Sequence, residues 1–275
     1  PAAATKVVYT TQPAATGTAG ADLSTQPIVE VQDAFSNTVT SSSDTITIAG
    51  YTNVGCTAAS GGTTNGGSKA AASGIATFTN LNHEKSENVY FKASTGGLTV
   101  ACSNSVIISP AAAAVLAFTT EPSAAGTAGA DLATQPVVTV QDAFLNTVTA
   151  SSDSVTLAAF TDSGCTAGAG GALSVTTNPL AASSGVATFA GLDYDTVETV
   201  YLKASSGGLT TDCSANIVIS PAAASQLVYT TQPSATGTAG VNLAAQPVIE
   251  IRDAFDNVAT SSSDTVSLTT YTTAD

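Results

Sequence analysis

The sequence has no methionine, no tryptophan and few charged residues, and these absences limit what the chain can be. Charged residues make up 9% of the 275 residues, and only 6 of them are Lys or Arg. Binding to nucleic acid or to an anionic membrane surface requires clustered Lys and Arg. With a formal net charge of −14, the chain is expected to bind neither.

Long apolar runs are also missing. No run of apolar residues approaches the length of a membrane-spanning helix, so we expect no membrane insertion in this segment. Because the chain contains no methionine, we expect it to be a mature or internal piece of a longer protein. The lack of a signal peptide then carries no information.

An internal repeat is the strongest signal that is present. The segment that begins Val7-Val8-Tyr9-Thr10-Thr11-Gln12-Pro13 returns with a period of about 110 residues, first at Leu116 and again at Leu227. This period is the size of one domain and is too long for a solenoid unit. We expect a first repeat with its leading linker at 1–110, a second repeat at 111–221, and the N-terminal half of a third at 222–275. Short linkers without glycine, such as Ser109-Pro110-Ala111-Ala112-Ala113, predict semi-rigid joints and an end-to-end arrangement.

The pattern within each repeat predicts an all-β fold. Thr45-Ile46-Thr47-Ile48 alternates between polar and apolar residues, and other short segments rich in β-formers are separated by turns of Ser, Gly, Asn and Asp. This spacing is typical of tandem immunoglobulin-like β-sandwiches. We expect six or seven strands per repeat and no substantial helix.

The four cysteines occupy equivalent positions in the first two repeats. One pair per repeat predicts one disulfide per domain, Cys56 with Cys102 and Cys165 with Cys213, and therefore an oxidising, extracellular compartment. The alternative, a zinc site, would require Cys-x-x-Cys spacing or several histidines. The chain has a single histidine, His83.

Three short motifs recur in register: Val31-Gln32-Asp33-Ala34-Phe35-Ser36-Asn37, Gly74-Ile75-Ala76-Thr77-Phe78 and Tyr90-Phe91-Lys92-Ala93-Ser94. With them the chain resembles the bacterial Ig-like tandem repeats of the invasin and intimin type. The resemblance implies stacked sandwiches in the stalk of a cell-surface adhesin. That family usually has glycine just before the turn asparagine, where this chain has Ser36, Leu145 and Asp256. We therefore expect any positive φ at the asparagines that follow, Asn37, Asn146 and Asn257.

The Asp-Ala-Phe-x-Asn turn is the best candidate for a special site. Aspartate and asparagine hydrogen-bond their own backbone and set tight turns, which predicts a structural role for Asp33 with Asn37, Asp142 with Asn146, and Asp253 with Asn257. A calcium site is the weaker alternative, since calcium requires six or more oxygen ligands; its candidates are Asp22, Asp33, Asp131 and Asp142. The phenylalanine of each turn is expected to plug the sandwich end or pack on a neighbouring repeat rather than to stack on a ligand.

Two lysines occupy equivalent positions in the first two repeats. Lys92 and Lys203 could form an isopeptide bond with an asparagine if both were buried beside an acid. The simpler interpretation is a lysine at a strand edge, where its charge prevents edge-to-edge aggregation.

Catalytic motifs are missing. There is no Gly-x-Ser-x-Gly, no phosphate-binding glycine loop and no metal cluster. His83 is replaced by a segment without histidine, Asp193-Tyr194-Asp195, so no Ser–His or Cys–His pair can be built in the second repeat. We expect no enzyme activity and no cofactor.

These features favour a structural stalk or filament-forming region of a long bacterial extracellular surface protein. Its expected partners are neighbouring repeats of the same or identical chains. The alternatives are an adhesive Ig-like module that binds a host or glycan ligand, and a decoration domain of a virus particle. Because the third repeat lacks counterparts of the later strands, we expect it to be completed either by a continuation of its own chain or by strands from another subunit.

Overall fold

The computed structural model describes residues 1–271, and every regular element in that range is a β-strand. Residues with alternating polarity form strands that bury every second side chain. In Thr45–Tyr51, for example, Ile46 and Ile48 point into the core while the threonines beside them face solvent.

The first repeat is a two-sheet sandwich. Its strands are β1 (Ala4–Thr11), β2 (Thr16–Thr18), β3 (Ile28–Asp33), β4 (Thr45–Tyr51), β5 (Thr64–Asn65), β6 (Ser68–Ala70), β7 (Ile75–Thr77), β8 (Asn82–His83), β9 (Asn88–Ser94), β10 (Ala101–Cys102) and β11 (Val106–Ser109). One sheet has the order β1-β3-β7, and the other has the order β2-β11-β9-β4-β6, with β10 also paired to β9. The repeat has eleven strands where six or seven were expected, because strands of only two residues, such as β5, β8 and β10, form inside segments that the sequence pattern assigns to loops.

The second repeat has the same strand order. Its strands are β12 (Val115–Thr120), β13 (Ala125–Thr127), β14 (Val137–Gln141), β15 (Ser154–Phe160), β16 (Leu173–Ser174), β17 (Leu180–Ala181), β18 (Val186–Thr188), β19 (Asp193–Tyr194), β20 (Thr199–Ser205), β21 (Asp212–Cys213) and β22 (Ile217–Ser220). The sheets are β12-β14-β18 and β13-β22-β20-β15-β17, with β21 paired to β20. The described chain therefore contains tandem immunoglobulin-like β-sandwiches.

The core of the first repeat lies between its two sheets. It is formed by aliphatic and aromatic side chains of β1, β3, β4, β9 and β11, among them Val29, Ile46 and Phe91. The Tyr9 hydroxyl crosses this core and donates a hydrogen bond of 3.0 Å to the Phe91 carbonyl. Because Tyr9 lies on β1 and Phe91 on β9, this bond joins the two sheets.

Only the beginning of the third repeat lies in the described chain. Its strands β23 (Gln226–Thr231) and β24 (Val248–Arg252) form a two-stranded sheet. Leu227 and Tyr229 are largely exposed there, whereas their counterparts Val7 and Tyr9 are buried. The apolar face of this hairpin therefore lacks the second sheet that covers it in the first repeat.

The chain folds as two compact units. Unit 1 comprises Pro1–Val115, Val140–Ser152 and Ser183–Val186, and unit 2 comprises Leu116–Thr139, Asp153–Ala182 and the residues from Ala187 onward. The division does not follow the sequence repeats. It groups the Asp-Ala-Phe-x-Asn turn of the second repeat with the first repeat, and that of the third repeat with the second.

The structure joins Cys56 to Cys102 and Cys165 to Cys213. Cys56 lies in the turn after β4, and Cys102 lies on β10. Since β4 and β10 both pair with β9, the bond connects parts of one sheet and does not connect the two sheets.

We predict that replacing Cys56 and Cys102 together by serine lowers the stability of the first repeat. The bond closes a loop with a sequence separation of 46 residues, for which the chain-entropy estimate is about 4 kcal/mol. Chemical denaturation of the variant beside the unaltered chain measures this loss. Non-reducing peptide mapping that found free thiols, or cystines linking the two repeats, would contradict the pairing.

Candidate functional site

The Asp-Ala-Phe-x-Asn segments form three-residue hairpin loops. After Asp33 ends β3, the Ser36 amide donates to the Asp33 carbonyl at 3.1 Å, and the Asp33 amide donates to the Asn37 carbonyl at 3.0 Å. This pattern is a type I turn followed by one left-handed residue. The loops of the other two repeats have equivalent bonds.

The left-handed residue is the one before the asparagine. Its φ is +64° at Ser36, +65° at Leu145 and +66° at Asp256. The expectation that any positive φ lies at Asn37, Asn146 and Asn257 is therefore wrong. The three-residue loop requires the left-handed conformation at its third residue whatever the side chain, and at Leu145 this costs about 1–2 kcal/mol.

A fully buried aspartate holds each loop together. Oδ1 of Asp33 accepts hydrogen bonds from the amides of Phe35 and Asn37, both at 2.9 Å, and Oδ2 accepts from the linker amide of Ala2 at 2.8 Å. The Asn37 side-chain amide also donates to the carboxylate. The same set surrounds the aspartates of the later repeats: Asp142 with Ala111, Phe144 and Asn146, and Asp253 with Ala222, Phe255 and Asn257.

These hydrogen bonds keep the buried carboxylates ionised. Burial acts to raise the pKa of each carboxyl, but the surrounding N–H donors outweigh it and hold the pKa of Asp142 and Asp253 below the usual range. For Asp33 the resulting pKa is about 2. Each aspartate is thus a fixed negative charge at neutral pH, and its partners are amide N–H groups.

The donors around Asp33 and Asp142 do not suit calcium, which needs several oxygen ligands with free lone pairs. Both oxygens of each carboxylate already accept N–H groups. Of the other candidates, Asp22 accepts a hydrogen bond from Asn82 at 3.0 Å, and Asp131 lies near Asp193, whose pKa is raised by burial and by this neighbouring charge. Within residues 1–271, no group of three or more His, Cys, Asp or Glu residues could hold a metal ion.

Asn146 also reaches a loop of the first repeat, inside unit 1. Its Nδ2 donates to the Glu84 carbonyl at 2.8 Å, and its Oδ1 accepts from the Ser86 amide at 2.8 Å. The side-chain amide thus pairs with a backbone C=O and N–H much as a neighbouring strand would. Asn146 is bonded to its own aspartate at the same time, so it couples the turn to this loop.

Asn257 makes equivalent contacts inside unit 2. Its Nδ2 donates to the Asp195 carbonyl at 2.8 Å, and its Oδ1 accepts from the Val197 amide at 2.9 Å. In the described chain Asn37 has hydrogen bonds only within its own turn. The arrangement is therefore formed twice, by the turns of the second and third repeats.

The phenylalanine of each later turn lies on a glycine of the preceding repeat. A Cβ added to Gly20 would lie 2.1 Å from Cζ of Phe144, and one added to Gly129 would lie 1.9 Å from Cζ of Phe255. Both glycines have a left-handed φ, +72° and +68°. The expectation that the ring packs on a neighbouring repeat is confirmed for Phe144 and Phe255, which are 39% and 44% exposed, whereas Phe35 is 80% exposed.

We call the glycine and the C=O/N–H pair together the seat: Gly20 with Glu84 and Ser86 in the first repeat, and Gly129 with Asp195 and Val197 in the second. The phenylalanine and asparagine that occupy it are the hairpin tip. Sequence reasoning identified the tips but missed the seats. The recurring Gly-Thr-Ala-Gly of residues 17–20, 126–129 and 237–240 is the signal that could have indicated them.

His83 lies inside the first repeat rather than in an open loop. It is fully buried on β8, with Nδ1 3.0 Å from Thr64 Oγ1 and Nε2 3.0 Å from Glu87 Oε1. Ser60 Oγ is 3.3 Å from Nε2 but donates its proton to Glu87. A serine nucleophile would need to donate to the histidine, with an acid on the other ring nitrogen, so this cluster has the geometry of a buried structural network.

The second repeat builds the same network with different residues. Tyr194 replaces His83 and donates its hydroxyl proton to Glu198, while accepting from the Gly171 amide at 2.7 Å. Burial acts to raise the pKa of Glu87, but hydrogen bonds from Ser60 and His83 and the nearby Lys85 hold it below its ordinary value. The shared element of the two repeats is a half-buried glutamate, Glu87 or Glu198, that is hydrogen-bonded to the buried side chain four residues before it, His83 or Tyr194.

The two lysines do not lie at a strand edge, so that expectation is wrong. Lys92 is on β9, which lies between β4 and β11, and its Nζ is 5.0 Å from the centre of the Tyr51 ring. Lys203 lies 5.5 Å over Phe160 in the same way. Both are cation–π contacts on the outer face of a central strand pair.

No family model matches this chain, and no curated protein matches it. Among solved structures, InvD of Yersinia pseudotuberculosis aligns over 92% of this chain and 70% of its own, with 15% identity and a TM-score of 0.39. Invasin, a bacterial integrin-binding protein, aligns over 93% and 47%, with 10% identity and a TM-score of 0.35. A β-glycosidase from Bacteroides vulgatus aligns over 79% of this chain with 11% identity and a TM-score of 0.34, and this chain spans 25% of its length. At such identities and TM-scores, these likenesses carry no argument about function.

Among residues 1–271, the structure has no helix of the length and apolarity needed to cross a membrane.

We predict that Asn146→Ala destabilises the chain more than Asn37→Ala does. Both variants lose the bonds to their own aspartate, but only Asn146 also pairs with Glu84 and Ser86. The difference should be about 1–3 kcal/mol, the net value of two hydrogen bonds with a partly buried amide left without a partner. Denaturant unfolding of the two variants under the same conditions measures it, and equal losses would contradict the coupling.

We predict that acid weakens the turns. The folded pKa of these aspartates is lower than the unfolded value of about 3.9, so their contribution to stability is complete above pH 4 and is lost as the pH falls toward the folded value, about 2 for Asp33. A carboxyl ¹³C titration of Asp33 by NMR measures this value directly. A midpoint at or above 4 would contradict the hydrogen-bonded carboxylate.

Proposed function

We propose that this segment is a structural spacer in an extracellular surface protein, built from sandwiches whose turns hold consecutive repeats together. The observation that carries the proposal is that an occupied seat is found twice, once in the first repeat and once in the second. The same phenylalanine and asparagine of one repeat engage the same glycine and backbone pair of the repeat before it. The phenylalanine ring and the asparagine amide of the turn thus contact another repeat of the same chain.

The disulfides support an extracellular location, since such bonds persist in oxidising compartments. The surface composition is compatible with this environment, because the acidic net charge of −14 favours solubility. Repeats that contact one another in this way suit the stalk or filament of a cell-surface protein. Antibodies raised against the chain should label the outside of intact cells or particles that carry the protein.

The surface loops also favour a spacer over a ligand-binding module. The segment after Cys56, residues 57–73, which includes the short strands β5 and β6, consists mainly of Gly, Ser, Thr, Ala and Asn, whereas binding surfaces are enriched in aromatic residues and arginine. The partly buried Ser60–His83–Glu87 network supports a non-catalytic role, because the serine proton is already donated to the glutamate.

The proposal predicts that length follows repeat number while ligand binding stays absent. Deleting residues 111–221 from the chain keeps a Pro-Ala-Ala linker at the junction and should shorten the particle by one repeat, as measured by small-angle scattering. The unaltered chain should show no saturable binding on a glycan array or to extracellular-matrix proteins. Saturable binding that is lost on substitution within residues 57–73 would contradict the spacer and favour an adhesive module.

A further inference from the structure

The hairpin tip of the first repeat differs from the other two in its exposure, because no seat covers it in the described chain. Phe35 is 80% exposed, whereas Phe144 and Phe255 are 39% and 44% exposed. All three turns have the same hydrogen bonds to their own aspartate. The difference therefore lies in the absence of a seat against Phe35, because its turn has the same internal geometry as the others.

Asn37 has the same hydrogen-bonding groups available. Nδ2 of Asn146 and Asn257 donates both to the turn aspartate and to a seat carbonyl, and their Oδ1 accepts a seat amide. In the described residues, the Asn37 side chain bonds only Asp33. Oδ1 of Asn37 and part of the hydrogen-bonding capacity of its Nδ2 are therefore available to a partner, beside the exposed ring of Phe35.

The linker reaches this turn in the same way as it reaches the other two. The Ala2 amide donates to Asp33 Oδ2 at 2.8 Å, as Ala111 does to Asp142 at 2.8 Å and Ala222 does to Asp253 at 2.9 Å. In the two later cases the linker leads back to the repeat that supplies the seat. Ala2 therefore contacts its turn as Ala111 and Ala222 do, and Pro1 precedes Ala2 as Pro110 and Pro221 precede the later alanines.

We propose that the tip formed by Phe35 and Asn37 is a docking surface for a further repeat of this kind, joined through the linker at Pro1. The partner is recognised by a left-handed glycine without a side chain and by a backbone C=O and N–H two residues apart. This inference rests on the proposed spacer function and specifies its partner.

A second copy of the same chain fits the surface less well. The seats at Gly20 and Gly129 are filled by Phe144 and Phe255. An added Cβ at Gly240 would meet nothing within 4 Å, but the third repeat here has no counterpart of the loop containing Glu84 and Ser86. One ring and two hydrogen bonds also form a small interface, which needs the millimolar effective concentration of a short tether to be occupied.

The test compares the chain with an extended chain that has a copy of residues 1–109 fused before Pro1. The new junction, Ser109 followed by Pro1, reproduces the natural Ser109–Pro110 sequence. Because the chain has no tryptophan, Phe35→Trp in the original repeat places a single tryptophan on the tip, and this residue can be excited selectively. Phe144→Trp in the unextended chain provides the matched probe of an occupied seat.

In the extended chain, the emission of the Trp at position 35 of the original repeat should shift to the blue. Its quenching by acrylamide should fall by about twofold, because Phe35 is 80% exposed whereas the seated Phe144 and Phe255 are 39% and 44% exposed. Gly20→Ala in the added copy should reverse both changes, because its Cβ would occupy the position of the ring. Identical emission with and without the added repeat would overturn the proposal. A shift that depends on the concentration of the unextended chain would also overturn it, in favour of a second copy.

A thermodynamic cycle covers the case in which the larger indole ring does not fit the seat. Asn37→Ala in the original repeat should shift the unfolding equilibrium about tenfold further in the extended chain than in the unextended one, the value of the added hydrogen bonds. An equal shift in both chains would overturn the proposal. Neither measurement depends on ligand binding. Binding to a glycan would therefore contradict the spacer function alone, and the two measurements above would still decide whether the tip docks on a further repeat.

Discussion

The buried carboxylate of the hairpin turn is the interaction on which the joining of repeats depends. A charged aspartate without solvent is costly unless hydrogen bonds replace the lost water, and here the donors come from two separate parts of the chain, the turn itself and the linker. Asp142 accepts from its own loop, from the linker at Ala111 and from the side chain of Asn146. One residue therefore fixes the shape of the loop, the path of the linker and the orientation of the asparagine.

That orientation gives the contact its selectivity. Asn146 presents one acceptor and one donor to a backbone pair at fixed spacing, and Phe144 requires a position without a Cβ. The loop accepts left-handed strain at Leu145 to achieve this, and the bonds around Asp142 offset it. A partner must therefore satisfy a steric and a hydrogen-bonding condition together.

The fold could be predicted from the sequence to a large extent. Three patterns predict the sandwich and its disulfides: the period of about 110 residues, the alternation at Ile46 and Ile48, and one cysteine pair per repeat. They can be recognised because each is local or repeated in the sequence. Strand order is not local, which is why the sequence pattern suggests an edge position for Lys92 although β9 lies inside its sheet. The burial of His83 was missed for the same reason, since its partners Ser60 and Thr64 come from another part of the chain.

The site was predictable only in part. The Asp and Asn of the turn were identified because these residue types set turns, but the left-handed residue was misplaced, since loop length determines it more than residue preference does. The seat was missed because it consists of a glycine and of backbone groups at Glu84 and Ser86. Backbone groups have no signature in sequence, and they become a site only when the fold brings them to the tip of another repeat.

Hydrogen exchange at the Ser86 amide tests the account most directly, because this amide donates to the side chain of Asn146 and to nothing within its own repeat. The account predicts that Ser86 exchanges slowly in the unaltered chain and in Asn37→Ala, and roughly tenfold or more faster in Asn146→Ala. Ser86 exchange that is equally fast in all three proteins would contradict the account.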